Sequence, residues 1–271
     1  MKRRLGTAVL LASVAALTLP AGASADVVST WGTMTFTGGS QAYTGTLTLG
    51  DGFPTATIAS DSRAAAGVQT GASTFLNAAT PVGAKYGTSK DRQYLNLRPK
   101  VDANTPSITT YTFSSPTPAS GWTFVLGDID ADKVVVSATN AAGAAVPASA
   151  LGFKSTFNYC GGTPSPCVAN ADLPSWDGNG TLTGNAAAGD TDGAAAWFEP
   201  TVPLKTLTFT YSQRNGQPTY QTWFASQKQT DPGTPGVGAG STDDLFGSLG
   251  GLFDALPTGS STSGGITSGQ N

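Results

Sequence analysis

Three aspartates, Asp128, Asp130 and Asp132, alternate in the hexapeptide GDIDAD, in a chain where only 11% of residues are charged. Carboxylates gathered this closely suit two kinds of chemistry. They can ligate a hard cation such as calcium, which takes about six to eight oxygens, or they can act as paired acids in glycoside hydrolysis. The spacing opens like an EF-hand loop, but that motif needs Gly at its sixth position and Glu at its twelfth. Here those places hold Lys133 and Thr139, so a calcium site would be of another design. Asp190 and Asp192, in GDTDG, are the next candidates to contribute ligands. The plainer expectation is that Asp128 and Asp130 accept backbone hydrogen bonds and shape a corner while Asp132 is solvated.

Glu199, at the end of AAAWFEP, is the chain's only glutamate, and there is no histidine. A histidine triad and a histidine metal site are therefore excluded. Acid–base catalysis would have to rest on Asp, Glu199, Lys or Tyr, which favours a non-catalytic protein. Glu199 is expected to end a strand and pair with a cation such as Lys205 or Arg98; the sharper alternative is a general acid working with one of the clustered aspartates. Lys154 and Lys205 are the lysines that an internal isopeptide crosslink would use. Trp176 and Asp177, in LPSWDGNG, are the candidate ligand-binding pair, because a loop aromatic can stack on a sugar face while its neighbours bond hydroxyls. The competing expectation is a Trp tucked over the disulfide loop.

Strands must position these groups. In GWTFVLGDIDAD, Trp122, Phe124 and Leu126 share one face and Thr123 and Val125 the other, both largely apolar, as in a strand covered on both sides. Lys133–Ala138 forms the next strand. Trp31–Thr37 and Tyr43–Leu49 alternate around Gly38-Gly39-Ser40 and read as a hairpin. Further strands are expected at Thr55–Ile58, Tyr94–Pro99, Ser107–Phe113, Phe153–Tyr159 and Ala194–Phe198, whereas Asp61–Ala79 gives no assignment. Leu204–Arg214 and Gln217–Ser226 flank Asn215-Gly216, the preferred pair for a two-residue hairpin turn, which would set Tyr211 opposite Tyr220 and Leu207 opposite Phe224. No helical periodicity runs between Asp26 and Ser226. About ten short strands with turn signals between them define an all-β chain, an antiparallel β-sandwich or jelly roll.

The ends differ from this domain. Lys2-Arg3-Arg4, an apolar Leu5–Leu19 and the small-x-small Ala23-Ser24-Ala25 mark residues 1–25 as a signal peptide, leaving residues 26–228 as the sandwich. Cleavage removes three cations and makes the net charge more negative than −3, which argues against nucleic acid as a partner. No later apolar run is long enough to span a bilayer. In an exported chain Cys160 and Cys167 form a disulfide across CGGTPSPC. Residues 229–271 are a Gly/Ser-rich disordered tail, in which 243–256 carries the apolar spacing of a short amphipathic helix.

YLNLRP at Tyr94–Pro99, GWTFVLGDIDAD at Gly121–Asp132, FNYC at Phe157–Cys160, TGNAAAGDTDGAAAWFEP at Thr183–Pro200 and YQTWFAS at Tyr220–Ser226 span most of the domain. This set resembles an adhesin-like, exported β-rich domain of actinobacterial envelope proteins. The resemblance implies an extracellular, envelope-associated, non-catalytic role and supplies no catalytic residues; the expected partner is an envelope or extracellular glycan or protein. The alternative function is a carbohydrate-active protein, either a calcium-assisted lectin or a weak hydrolase using Asp and Glu199. The first reading needs no cofactor; the second allows calcium.

Overall fold

Alternating threonine and apolar residues build the first strands of the computed structural model: β1 (Val27–Trp31), β2 (Thr33–Gly39), β3 (Ala42–Thr48) and β4 (Ala56–Ser60). The structure describes residues 27–229 apart from 51, 103, 162–163, 188–190 and 217. The expected signal peptide, the tail beyond Gln229 with its 243–256 segment, and Asp190 lie outside the described residues. β2 and β3 form the anticipated hairpin, with Met34 opposite Leu47 and Thr35 opposite Thr46. β5 (Ala64–Gln69) lies within the stretch that composition left unassigned.

A helix follows where none was expected, α1 (Pro81–Tyr86). Six residues make fewer than two turns, too few to display a helical period. Its start is nevertheless encoded locally. The Thr80 side chain accepts the Gly83 amide at 3.0 Å, and Pro81 occupies the first turn, where its missing N–H costs nothing.

The chain continues through β6 (Tyr94–Arg98), β7 (Ser107–Phe113), β8 (Trp122–Gly127), β9 (Asp132–Thr139), β10 (Phe153–Asn158), β11 (Ser175–Trp176), β12 (Thr181–Thr183), β13 (Ala194–Phe198), β14 (Thr206–Gln213) and β15 (Tyr220–Gln229). The expected sandwich is present, with fifteen strands among the described residues rather than about ten. β5 is too alanine-rich and β11 and β12 too short to show a pattern of their own, while β1 ends at Trp31, the first residue of the expected Trp31–Thr37 strand. Two antiparallel sheets face each other. One runs β10-β13-β8-β15-β6-β5 with β1 also paired to β15, and the other runs β11-β12-β9-β14-β7-β4-β3-β2.

Trp122, Phe124 and Leu126 of β8 point between the sheets and join Phe113, Tyr111, Phe209 and Phe224 in the main core. Val125, on the opposite face of the same strand, belongs to a second core with Trp31, Tyr94, Tyr159, Trp197 and Trp223. Leu76, Val82 and Tyr86, from the α1 region, close that second core together with Cys160 of the disulfide to Cys167. The first sheet is thus covered on both faces, as the apolar character of both sides of β8 requires.

The Asn215-Gly216 turn corrects the hairpin expectation. β14 pairs with β7 and β9 in one sheet, whereas β15 pairs with β8, β6 and β1 in the other. The connection therefore crosses the sandwich. Tyr211 and Tyr220 do meet, stacked with ring centroids 3.4 Å apart, but as facing residues of opposed sheets. GDIDAD makes the reciprocal crossing from β8 to β9 at the same end of the molecule. The two crossings are tied together, since the Arg214 and Asn215 amides both donate to the Ala131 carbonyl, at 2.9 and 3.0 Å.

Candidate functional site

The acidic corner is a structural joint between the sheets. Asp128, Asp130 and Asp132 are all buried, and Asp132, expected in solvent, is completely so. The correction has a geometric cause. Because the segment passes from one sheet to the other, its last aspartate is already the first residue of β9 inside the sandwich. Asp128 adopts a left-handed backbone (φ 64°), which Asp and Asn tolerate better than most residues. One Asp128 oxygen accepts from the Thr219 hydroxyl at 2.6 Å, and the Gln221 amide and the Tyr159 hydroxyl each lie 3.5 Å from its carboxylate. Asp130 accepts the amide of Ala131, as the corner-shaping expectation requires.

Burial raises the Asp128 pKa to about 7. The Thr219 hydrogen bond opposes that rise, repulsion from Asp130 and Asp192 adds to it, and the Gly193 amide opposes it again. Tyr159 is pushed well above its ordinary value, first by burial and then by Asp128. Asp192 is therefore near the corner, as the sequence suggested. Among the described residues, however, no three Asp, Glu or Cys side chains come together as a metal-binding group.

Glu199 stands elsewhere and does different work. Lys85, in the last turn of α1, reaches its Oε1 at 2.5 Å, and Lys154 of β10 reaches its Oε2 at 3.2 Å. The Tyr86 hydroxyl donates to Oε1 at 2.8 Å. Burial alone would raise its pKa, but hydrogen bonds from Lys85, Tyr86 and Lys154 outweigh that and hold the carboxyl below its usual range. The expected cations were Lys205 and Arg98. Lys205 instead donates to the carbonyls of Phe113 and Ser114, at 2.6 and 3.0 Å. Lys85 and Tyr86 lie over a hundred residues from Glu199, and nothing in the local sequence signalled them. Lys154 is half in water and ion-paired, unlike the buried lysine an isopeptide crosslink needs.

Trp176 packs face to face on Phe153, 5.4 Å between centroids, and edge-on to Phe198, 5.1 Å away. Its ring is half-buried at the margin of the main core rather than over the disulfide loop. Asp177 is exposed and builds the β11–β12 turn, accepting the amides of Asn179 and Thr181 at 2.7 and 2.9 Å. Those bonds lower its pKa. The pair predicted to bind a ligand thus closes a strand end and a turn.

The second sheet leaves its outer face to solvent. Thr139, Thr206, Thr112, Thr57, Thr46 and Thr35 lie in register across neighbouring strands, and Ser137, Thr208 and Thr110 form the next rank. Hydroxyls pair along the ranks, Thr139 with Thr206 at 2.7 Å and Thr35 with Thr46 at 2.8 Å. The chain was compared with protein-family models, with curated proteins and with solved structures, and none of the three comparisons found a match.

Proposed function

We propose that the chain is an exported, non-catalytic β-sandwich that associates with the cell envelope by binding, in the manner of an adhesin. One observation carries this reading. The carboxylates that could have done chemistry are buried or clamped, Asp128, Asp130 and Asp132 inside the crossing between sheets and Glu199 under two lysines and a tyrosine. A glycosidase needs a second carboxylate roughly 5–9 Å from the first across the scissile bond. Glu199 is the only acid among the described residues of the groove it lines.

The N-terminal basic and apolar segments, and a disulfide of the kind that persists in oxidising compartments, support export. No helix among the described residues is long and apolar enough to cross a membrane. The test is sedimentation of the full chain with isolated cell-envelope material, paired with assays for polysaccharide hydrolysis. Co-sedimentation without release of new reducing ends is the expected result. Hydrolysis abolished by Glu199→Gln, or failure to sediment with envelope, would sink the reading.

A further inference from the structure

Two grooves meet at the bend Ser120-Gly121, at the end of the sandwich where β8 begins. The larger, about 410 Å³, is lined by Lys85, Lys154, Glu199 and Thr201 beside that bend. The smaller, about 200 Å³, shares Ser120 and Gly121 and is lined by Gln227 and Lys228. Gln227 braces the bend between them. The Gln227 amide donates to the Gly121 carbonyl at 2.7 Å, and the Gln227 side chain donates to the Lys85 carbonyl at 2.8 Å.

Lys85 and Lys154 thus stand on one side of the bend and Lys228 on the other, since Gln227 turns its side chain to α1 and the next strand residue, Lys228, faces the opposite way; Glu199 is the only acid among the described residues that line either groove. This excess of positive charge sits on a chain whose net charge is −3. The contrast with other lysines is direct. Lys100 is matched one to one by Asp61 at 2.6 Å, and Lys205 is taken up by backbone carbonyls. Lys85 and Lys154 keep their side chains 45% and 44% exposed while the shared carboxylate fixes where their ammonium groups stand. An ammonium has three donors, so each retains hydrogens for a ligand after bonding Glu199. Among the described residues no arginine lines either groove. Lysine acts as a point charge and does not select a planar partner, so this site reads anionic oxygen rather than one acid's shape. The hydroxyls of Ser120 and Thr201 suit a ligand that carries hydroxyls between its charges.

We propose that these two grooves, one on each side of the bend, bind the anionic oxygens of an acidic polysaccharide, carboxylate or phosphodiester, that crosses it, through Lys85 and Lys154 on one side and Lys228 on the other. The proposal rests on the envelope-binding reading above and names the chemistry of its partner. Glu199 is a positioning residue for the two lysines. Single-stranded nucleic acid, the other polyanion, would call for a row of stacking aromatics, and Phe53 is the only aromatic among the described residues lining either groove.

The test is affinity electrophoresis of the full chain through gels holding polygalacturonate, poly(glycerol phosphate), single-stranded DNA or neutral dextran, at low and raised salt. Retardation by one or both of the first two, weakened by salt and absent with dextran, is expected, and which polymer retards more identifies the source of the anion. Lys85→Gln with Lys154→Gln should lose about tenfold in affinity, whereas the charge-matched Lys90→Gln with Lys133→Gln should stay within about twofold of wild type. Equal losses in the two double variants, stronger retardation by DNA, or no retardation by either polysaccharide would overturn the proposal. Should the first double variant fail to fold, Lys228→Gln decides, because Lys228 makes no contact with Glu199 in the ion-pair cluster; unchanged affinity there also overturns it. Envelope co-sedimentation that persists without polyanion binding removes this site alone, whereas loss of both removes the envelope reading too.

Discussion

The first sheet has apolar residues on both faces and aromatic rings packed against each, while the second buries one face and presents ranks of threonine to water. The cause lies in what the chain places outside them. α1 and the disulfide loop cover the first sheet, and Trp223 of β15 stacks on Tyr94 at 4.7 Å within that cover. The approach is close enough that a Cβ on Gly127 would lie 2.6 Å from the Trp223 ring. Among the described residues nothing comparable sits over β9, β14 and β7, where Thr206, Thr208 and Thr110 alternate with buried Leu207, Phe209 and Tyr111. A covered sheet makes stability depend on packing on two sides. An open one makes half of its residues nearly neutral.

Substitutions on each side should separate the two sheets by a wide margin. Trp223→Ala removes a fully buried ring from the covered sheet and should cost about 3–5 kcal/mol in urea denaturation, whereas Thr110→Ala on the open face should stay within about 0.5 kcal/mol. Comparable values for the two would break the comparison. The joint between the sheets gives the next effect. Asp128 is held protonated up to pH about 7 in the fold but ionises near pH 4 once unfolded, so wild-type stability should fall as pH rises between those values. Asp128→Asn should erase that slope, which is on the order of 4 kcal/mol over the whole interval, as read from denaturation at pH 4.5 and pH 8.

Opening the disulfide with Cys160→Ser and Cys167→Ser should cost about 2.5 kcal/mol by loop-closure entropy. Its local signature should be faster amide exchange around Leu76 and Val82, over the covered sheet, with β7 and β14 unchanged. Uniform acceleration would mean that the cover and the sheets unfold together. The smallest change is expected for Thr57→Lys, in the middle of the exposed rank, within about 0.5 kcal/mol. A larger loss would show that the hydroxyl ranks contribute to stability.

Much of this architecture was legible in the chain because threonine and aromatic residues alternate so cleanly. The β2–β3 hairpin followed from period two and the Gly38-Gly39-Ser40 turn, and both faces of β8 from period two alone. The same periodicity misplaced β15. Asn215-Gly216 announces a reversal, and Tyr211 and Tyr220 stand at matching distances from it, but a reversal within one sheet and a crossing between two sheets leave the same alternation. The burial of Asp132 was hidden for a related reason, since acidic residues beside a turn look solvated until the turn is known to run through the interior. α1 was too short to show a period. The clamp joins residues from α1 and β10 to Glu199, just past the end of β13, and no local pattern encodes such a meeting.

β1 and β15 lie side by side and antiparallel, with Val27 directly opposite Gln229. Whatever polypeptide is joined to either end of the domain thus departs from the same point. A pull on both ends would open this pair one hydrogen bond at a time, the weakest direction in which a ladder can be loaded. A pull on one end alone would pass no tension through the core. The domain is mechanically suited to hang from a single tether and poorly suited to serve as a link in a loaded chain.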